Sequence, residues 1–547
     1  MNTPTSGTKL NILKKGIKKI LLVIGTTLLF NGILMAQKLT LQTNKQIYVA
    51  GEEIGFKCTL TLPKDYVNSI LFVDICGENY LITSQVLKPA NGTWDGRIAL
   101  PDTLQTGVYL LRTYIGNPKG IPVVAAKPVS IINRFMNNEI NTVRKNKEGY
   151  LALDMRGSPE PLNNELLKIS ANVNSVTTNH DINFTINNNI ADLFGNISLA
   201  VYKTEKQSLS VPVEQYPYYT PSNLVRTYNY LVLSGKLTQQ SNNTPVENET
   251  ILLSTPDSIP NINYAYTDES GEFRFVLNNF YGTQDIIIQS LSKQNNFAIN
   301  LYPVLLLPPQ KIPYYIPEEV EQSEFVQLAI KRATMHLTYS KHVEVTKIHH
   351  REVIPFYGHT NTRIYPGHYI PLDDFAEIAW EILPTVKYKH DKDSTYLTIW
   401  NPENKAFYSN PWVLVDGIPI YDLSTINPLN SERINWIEIQ PQMRCYGDIL
   451  VEGMINIKTK NCNFTDVELP KNAVRTNIET FYITNSQVQT DESVFKDLLY
   501  WNPEVRSTGK TNITVTSSYE KGHYVAVARA CDQNGEIYRS VVKFNVE

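Results

Sequence analysis

Cys76-Gly77-Glu78-Asn79 comes nearest of any stretch in the chain to a covalent chemistry. An internal thioester forms when a cysteine thiol condenses with a glutamine side chain three residues on. Asn79 stands in that place and is one methylene too short, so no thioester is expected. Seven of the nine histidines fall between His336 and His390, with His349 and His350 adjacent. A metal centre needs ligands that converge at helical or paired spacing, as in H-E-x-x-H, and the chain has no such pattern. The cluster therefore reads as a polar surface between domains. His359 and His523 have no Gly-x-Ser-x-Gly elbow to serve, which leaves no nucleophilic triad. Cys58 and Cys76 either pair or stay reduced: secretion permits a disulfide, while the apolar strand face carrying Cys58 suits a buried thiol. Cys445, Cys462 and Cys531 make the count odd and suggest no pairing. These residues point to no catalytic centre, no cofactor and no metal site, and the chain is read as a non-enzyme.

The elements that would position any such residues belong to a long chain of ordinary composition. Of 547 residues, 42% are hydrophobic and 19% charged, which excludes wholesale disorder. A net charge of −3 provides no basic excess for neutralising phosphates, so nucleic acid is not an expected partner. Thirty-two tyrosines beside 26 glycines and 31 prolines favour strands and turns. Lys9, Lys14, Lys15, Lys18 and Lys19 precede an apolar run over 20–36 that ends at Leu34-Met35-Ala36, the layout of a secretory signal peptide. No cysteine near Ala36 could take a lipid, and no other segment is as hydrophobic, so no transmembrane span is expected in the mature chain. At about 100–150 residues per domain, the remainder makes four or five domains.

Period-two alternation dominates the chain beyond this leader. Ile54, Phe56, Cys58 and Leu60 place apolar groups on one face, and Tyr48-Val49-Ala50-Gly51-Glu52 forms a turn before them. With strands at 70–75 and 107–112, the pattern predicts a β-sandwich over 37–133. Alternation at 167–169, 182–186 and 197–201 predicts a second sandwich over 134–222. The residues Tyr48, Gly51, Glu52, Gly107, Tyr109, Leu111 and Arg112 resemble the macroglobulin-type domain of alpha-2-macroglobulin-like proteins. Residues 223–312, with a turn at 245–247, a polar turn at 267–271 and Phe273 and Phe275 on one face, resemble a carboxypeptidase regulatory-like, transthyretin-like sandwich. That family's domain carries no peptidase chemistry.

Residues 313–470 combine two predicted helices with a further resemblance. The first helix opens at Pro317-Glu318-Glu319 and would present Phe325, Leu328, Ala329 and Arg332. The second starts at Asp373 or Asp374, presents Phe375, Ile378 and Ile382, and stops at Pro384. Over 411–460 the chain resembles the plug domain of TonB-dependent outer-membrane receptors, through Val413, Val415, Asp416, Gly417, Pro419, Ile437, Ile439, Tyr446, Gly447, Gly453, Ile455, Ile457 and Thr459. Among these, Val415, Asp416, Gly417, Pro419, Tyr446, Gly447 and Gly453 would serve structure or docking. Only 87 residues follow Lys460, whereas a 22-stranded barrel at about ten residues per strand needs roughly two hundred. Those 87 residues instead predict a small C-terminal sandwich over 471–547.

The whole is identified as a member of a group of Gram-negative envelope proteins that string macroglobulin-like, regulatory-like and barrel-less plug domains together. The expected fold is mainly β, a string of immunoglobulin-like sandwiches with one α+β unit. The resemblance implies a secreted, non-catalytic binding or docking scaffold of the periplasm or outer membrane. Its partner would be an envelope protein, with an outer-membrane β-barrel as one candidate. Two alternatives stay open: an accessory subunit of a TonB-dependent nutrient importer, and a macroglobulin-like protease trap without a thioester.

Overall fold

The computed structural model describes residues 38–135, 165–204, 230–302, 321–339, 363–482 and 497–547, less short internal breaks, together with 151–152, 312, 314–316 and 357–358. The leader over 1–36 and His342, His349, His350 and His359 lie outside these residues. The described residues are mainly strand and group into four β-containing units.

In the first sandwich, Ile54, Phe56, Cys58 and Leu60 all face one core from the strand Glu53–Thr61. That strand pairs with Lys38–Thr43 and Thr93–Ala99. Opposite it, Gly107–Ile115 lies between Val123–Ile132 and Leu71–Gly77 in a five-stranded sheet. Each such side chain contributes about 1.5–3 kcal/mol when fully buried. The predicted turn forms, with Gly51 at φ 95° and Glu52 N–H donating to Val49 O at 3.0 Å. Strand alternation also separates the cysteines. Cys58 and Ile75 point into this core, so Cys76, next along its strand, points to the opposite face and joins a different cluster.

The second and last sandwiches expected from the sequence are one body. Leu167–Ala171 and Asp181–Asn188 share a sheet with Lys510–Thr516, and Ile197–Thr204 lies between Gly522–Cys531 and Leu498–Val505. A single core takes Phe184 and Leu199 from the segment after the first sandwich and Tyr524 and Phe544 from the last strands of the sequence. The boundaries 134–222 and 471–547 therefore merge. We call this body the outer sandwich.

The same correction applies one level in. Val232–Gln239, Thr250–Thr255 and Thr283–Ser290 build the middle sandwich near 223–312, yet its edge strand is Val474–Glu479, paired with Thr283–Ser290. The α+β unit is thus inserted into the middle sandwich, which is itself inserted into the outer one. Alternation along a strand tells which face is apolar; it does not tell which distant strand completes the sheet.

Helix α1 (Glu324–Tyr339) packs on the first sandwich, burying Val326 against Ile47 and Val108 and both Ala329 and Ala333 against Val49. Of the expected stripe Ala329 is buried, Leu328 is half-buried and Arg332 instead reaches Glu520 of the outer sandwich, while the Phe325 side chain and the expected start at Pro317-Glu318-Glu319 lie outside the described residues. In the α+β unit, helix α2 (Phe375–Ile382) follows the expected pattern. Asp374 caps it by accepting from Glu377 N–H at 2.8 Å, and Glu377 accepts in return from Asp373 N–H at 2.7 Å. Phe375 and Ile378 sit in the unit's core with Val413, Ile437 and Ile457. No helix among the described residues is long and apolar enough to cross a membrane.

Candidate docking surface

The plug-like motif begins at a two-residue hairpin between Trp412–Val415 and Ile418–Ile420. Asp416 and Gly417 have φ of 48° and 81°, the paired positive values that a tight primed turn requires. Because Trp412–Val415 runs parallel to Ile449–Thr459, the turn brings Asp416 beside the end of that strand. The buried Asp416 carboxylate accepts from Thr459 N–H at 2.8 Å, Thr459 Oγ1 at 2.6 Å and Phe464 N–H at 3.0 Å. Lys458 Nζ lies 3.5 Å away, and both side chains are excluded from water. This carboxylate ties the hairpin to the 459–464 loop; it is an anchor and exposes no reactive oxygen.

Four of the remaining six motif residues, Gly417, Pro419, Tyr446 and Gly447, contact the middle sandwich. Val415 is in the unit's own core. Gly417 backs onto Pro260 and Asp257, and Asp257 N–H donates to Asp416 O at 3.0 Å. Gln289 Nε2 donates to Pro419 O at 2.9 Å. Tyr446 donates its hydroxyl to Ile262 O and meets the Tyr264 ring edge-on at 5.7 Å between centroids. Gly447, at φ 58°, lets the tip of a second hairpin, between Ile434–Tyr446 and Ile449–Thr459, pass over the Tyr264 hydroxyl, and Gly453 sits beside the irregular register of that pair at Gln440 and Met443. The structure thus brings six of the seven residues to, or directly behind, one internal interface, with Gly453 away from it.

Gly447→Ala tests that interface. A Cβ there would overlap the Tyr264 hydroxyl in a backbone conformation that L-residues adopt at a cost. We expect a loss of about 2–4 kcal/mol. Hydrogen exchange should rise at 261–266 and 446–449 and stay unchanged in the first sandwich.

Sequence reasoning missed the polar layer on the same face of the sheet. Tyr357 donates its hydroxyl to Glu438 Oε2 at 2.9 Å, and Arg363 holds Glu438 Oε1 at 2.6 and 3.0 Å. Asn456 Nδ2 donates to the Tyr357 hydroxyl at 3.1 Å, and Gln440 Nε2 donates to Tyr357 O at 3.1 Å. Burial, then the Glu438 charge, pushes the Tyr357 hydroxyl up, so it stays protonated as a donor. The available signal was Glu438 and Gln440 alternating with Ile437 and Ile439, a pattern that ordinarily marks a solvent face.

The other chemistry-bearing residues remain apart. All five cysteines are free. Burial pushes the Cys58 thiol up to about 12, with Thr113 Oγ1 3.4 Å away, and pushes Cys76 up to about 11, so neither is a nucleophile at neutral pH. Glu78 and Asn79 lie outside the described residues. His390 meets Thr395 Oγ1 at 2.8 Å, His523 meets Asn545 Oδ1 at 2.7 Å, and His368 stacks on Tyr365. No group of three or more His, Cys, Asp or Glu among the described residues could hold a metal ion.

No family model and no curated protein matches the chain. Among solved structures, a match is the Salmonella alpha-2-macroglobulin reacted with methylamine, at 8% identity and a TM-score of 0.15. The alignment covers 93% of this chain and 23% of that one, so the chain spans less than a quarter of its length. Likeness at that level does not define a shared function.

Proposed function

We propose that this chain is a non-catalytic scaffold of the bacterial cell envelope, in which nested macroglobulin-type and regulatory-like sandwiches hold a plug-like unit out to a protein partner. The double insertion carries this reading. The α+β unit leaves and re-enters the middle sandwich through the strands Phe297–Leu301 and Val474–Glu479, and its motif hairpin is buried against that same sandwich. A unit tethered at both ends and locked along one side is held in a set orientation, which suits presentation of its other side. The signal-like leader and the resemblances in the sequence support secretion to the periplasm or outer membrane.

In-cell cross-linking of the tagged full-length chain, followed by mass spectrometry, tests the proposal. Recovery of one envelope protein with links on the α+β unit is the expected result. Links from 411–460 to an outer-membrane barrel would narrow the role to an importer accessory. Failure to recover any stable partner would overturn the scaffold reading.

A further inference from the structure

The side of the α+β unit turned away from its core is a three-stranded sheet of Val386–His390, Thr395–Asn401 and Ala406–Tyr408, in that order. Val386, Leu397 and Ile399 point inward to the core. Alternation then puts Lys387, Lys389, Tyr396, Thr398, Trp400 and Phe407 on the outer face. Trp400 and Phe407 are directly paired, with ring centroids 5.0 Å apart, and Tyr396 lies about 13 Å along the same strand from Trp400. The three strands contain no acidic residue. Asp391 and Asp393, between the first two strands in sequence, lie outside the described residues, and Glu403, between the second and third, accepts from Gln442 Nε2 at 3.4 Å.

Lysines on an edge strand commonly guard that edge against pairing. Lys387 does something different: it reaches across the central strand and sets its ammonium 4.0 Å over the ring of Phe407, on the opposite edge strand. A positive charge therefore stands above an aromatic pair beside Ala406–Tyr408, which among the described residues pairs on one side only. We infer that this face and edge receive an extended acidic segment of a partner protein, which adds a strand to Ala406–Tyr408 and places a carboxylate against Lys387. The inference rests on the scaffold reading and names the surface that reading leaves open. Main-chain groups along a strand edge are satisfied by polypeptide. The rings also favour polypeptide over sugar: they tilt 58° to each other and one face of Phe407 is occupied by the ammonium, so they form no flat stacking platform.

The probe is a labelled decapeptide of alternating glutamate and valine, titrated into the full-length chain by fluorescence anisotropy. A lysine–valine decapeptide and polygalacturonate serve as comparisons. The glutamate peptide should bind, weaken with added salt, and lose about tenfold in affinity with Lys387→Glu. Phe407→Ala should weaken it as well, and both variants change surface side chains. Equal binding of the two decapeptides, or unchanged affinity in Lys387→Glu, would overturn the inference. Polygalacturonate binding that Lys387→Glu abolishes, with the glutamate peptide unbound, would overturn it in favour of an acidic glycan. Carbodiimide coupling in cells separates this inference from the scaffold reading. Links from Lys387 or Lys389 to a partner's carboxylates support both. A partner linked only elsewhere overturns the face and keeps the scaffold. Peptide binding with no recoverable partner supports the face and overturns the scaffold.

Discussion

Asp416→Ala should unfold the α+β unit and leave the first sandwich intact. The substitution removes the acceptor for Thr459 N–H, Thr459 Oγ1 and Phe464 N–H, and it strands Lys458 in a site that water does not reach. Breaking a buried pair by deleting one partner costs about 3–5 kcal/mol, chiefly because the surviving charge stays buried. Asp416→Asn keeps one oxygen for the Thr459 amide and should cost less. Lys458→Met placed on Asp416→Ala should recover part of the loss, since it removes the stranded ammonium. Hydrogen exchange read by mass spectrometry resolves the units: protection should fall over 412–464 and persist over 53–61 and 107–115. If Asp416→Ala retained protection over 412–464, the anchoring role of this carboxylate would be wrong.

Asp416 also marks how far the sequence could be read. The Asp-Gly turn was legible because positive φ at two successive positions restricts residue type locally. The alternating core of Ile54, Phe56, Cys58 and Leu60, and the cap and apolar face of α2, were legible for the same reason: each is a local pattern. The nesting was not legible. Pairing of Asp181–Asn188 with Lys510–Thr516 joins strands more than three hundred residues apart, and nothing in either strand names its partner. On α1, Ala329 was read correctly as buried, but Arg332 was counted on the apolar stripe, whereas its guanidinium meets Glu520. Of the candidate site, the motif residues were visible but not the surface that covers them, since Gln289, Ile262 and Tyr264 come from another unit.

Asp497→Asn should loosen the first sandwich from the outer one, while Glu52→Gln should not. Lys45, Glu52, Arg332, Lys203, Asp497 and Glu520 form a linked set of three cations and three carboxylates where these two sandwiches and α1 meet. Lys45 Nζ lies 2.9 Å from Glu52 Oε2 and 3.0 Å from Asp497 Oδ2, Arg332 holds both Glu520 oxygens at 2.6 Å, and Lys203 also pairs with Glu520. The two carboxylates beside Lys45 differ in what surrounds them. Burial opposes the Asp497 charge, but Lys45 and Arg332 together outweigh it and hold its pKa below the ordinary value. Burial leaves the Glu52 pKa raised, because Lys45 is the one cation acting on it and Asp497 is a like charge nearby, so that even with Val49 N–H donating to it burial prevails. A depressed pKa means that ionised Asp497 stabilises the fold above its unfolded value of about 3.9, and that this is lost as pH falls through the folded value. A raised pKa at Glu52 has the opposite sign: its ionised form costs stability at neutral pH, and that cost is relieved as pH falls toward about 4.3. Burial likewise opposes the Lys45 charge, and the two carboxylates outweigh it; its stabilisation is full below about 10.4 and is lost as pH rises through the raised folded value. Asp497→Asn at neutral pH should therefore cost about 3–5 kcal/mol, read as lost hydrogen-exchange protection at the junction over 42–45 and 497–501. Glu52→Gln keeps an oxygen for Val49 N–H, removes the costly charge and should leave that protection near wild type. Equal losses in the two variants would show that both carboxylates stabilise this junction alike, and would overturn the assignment of the stabilising charge to Asp497.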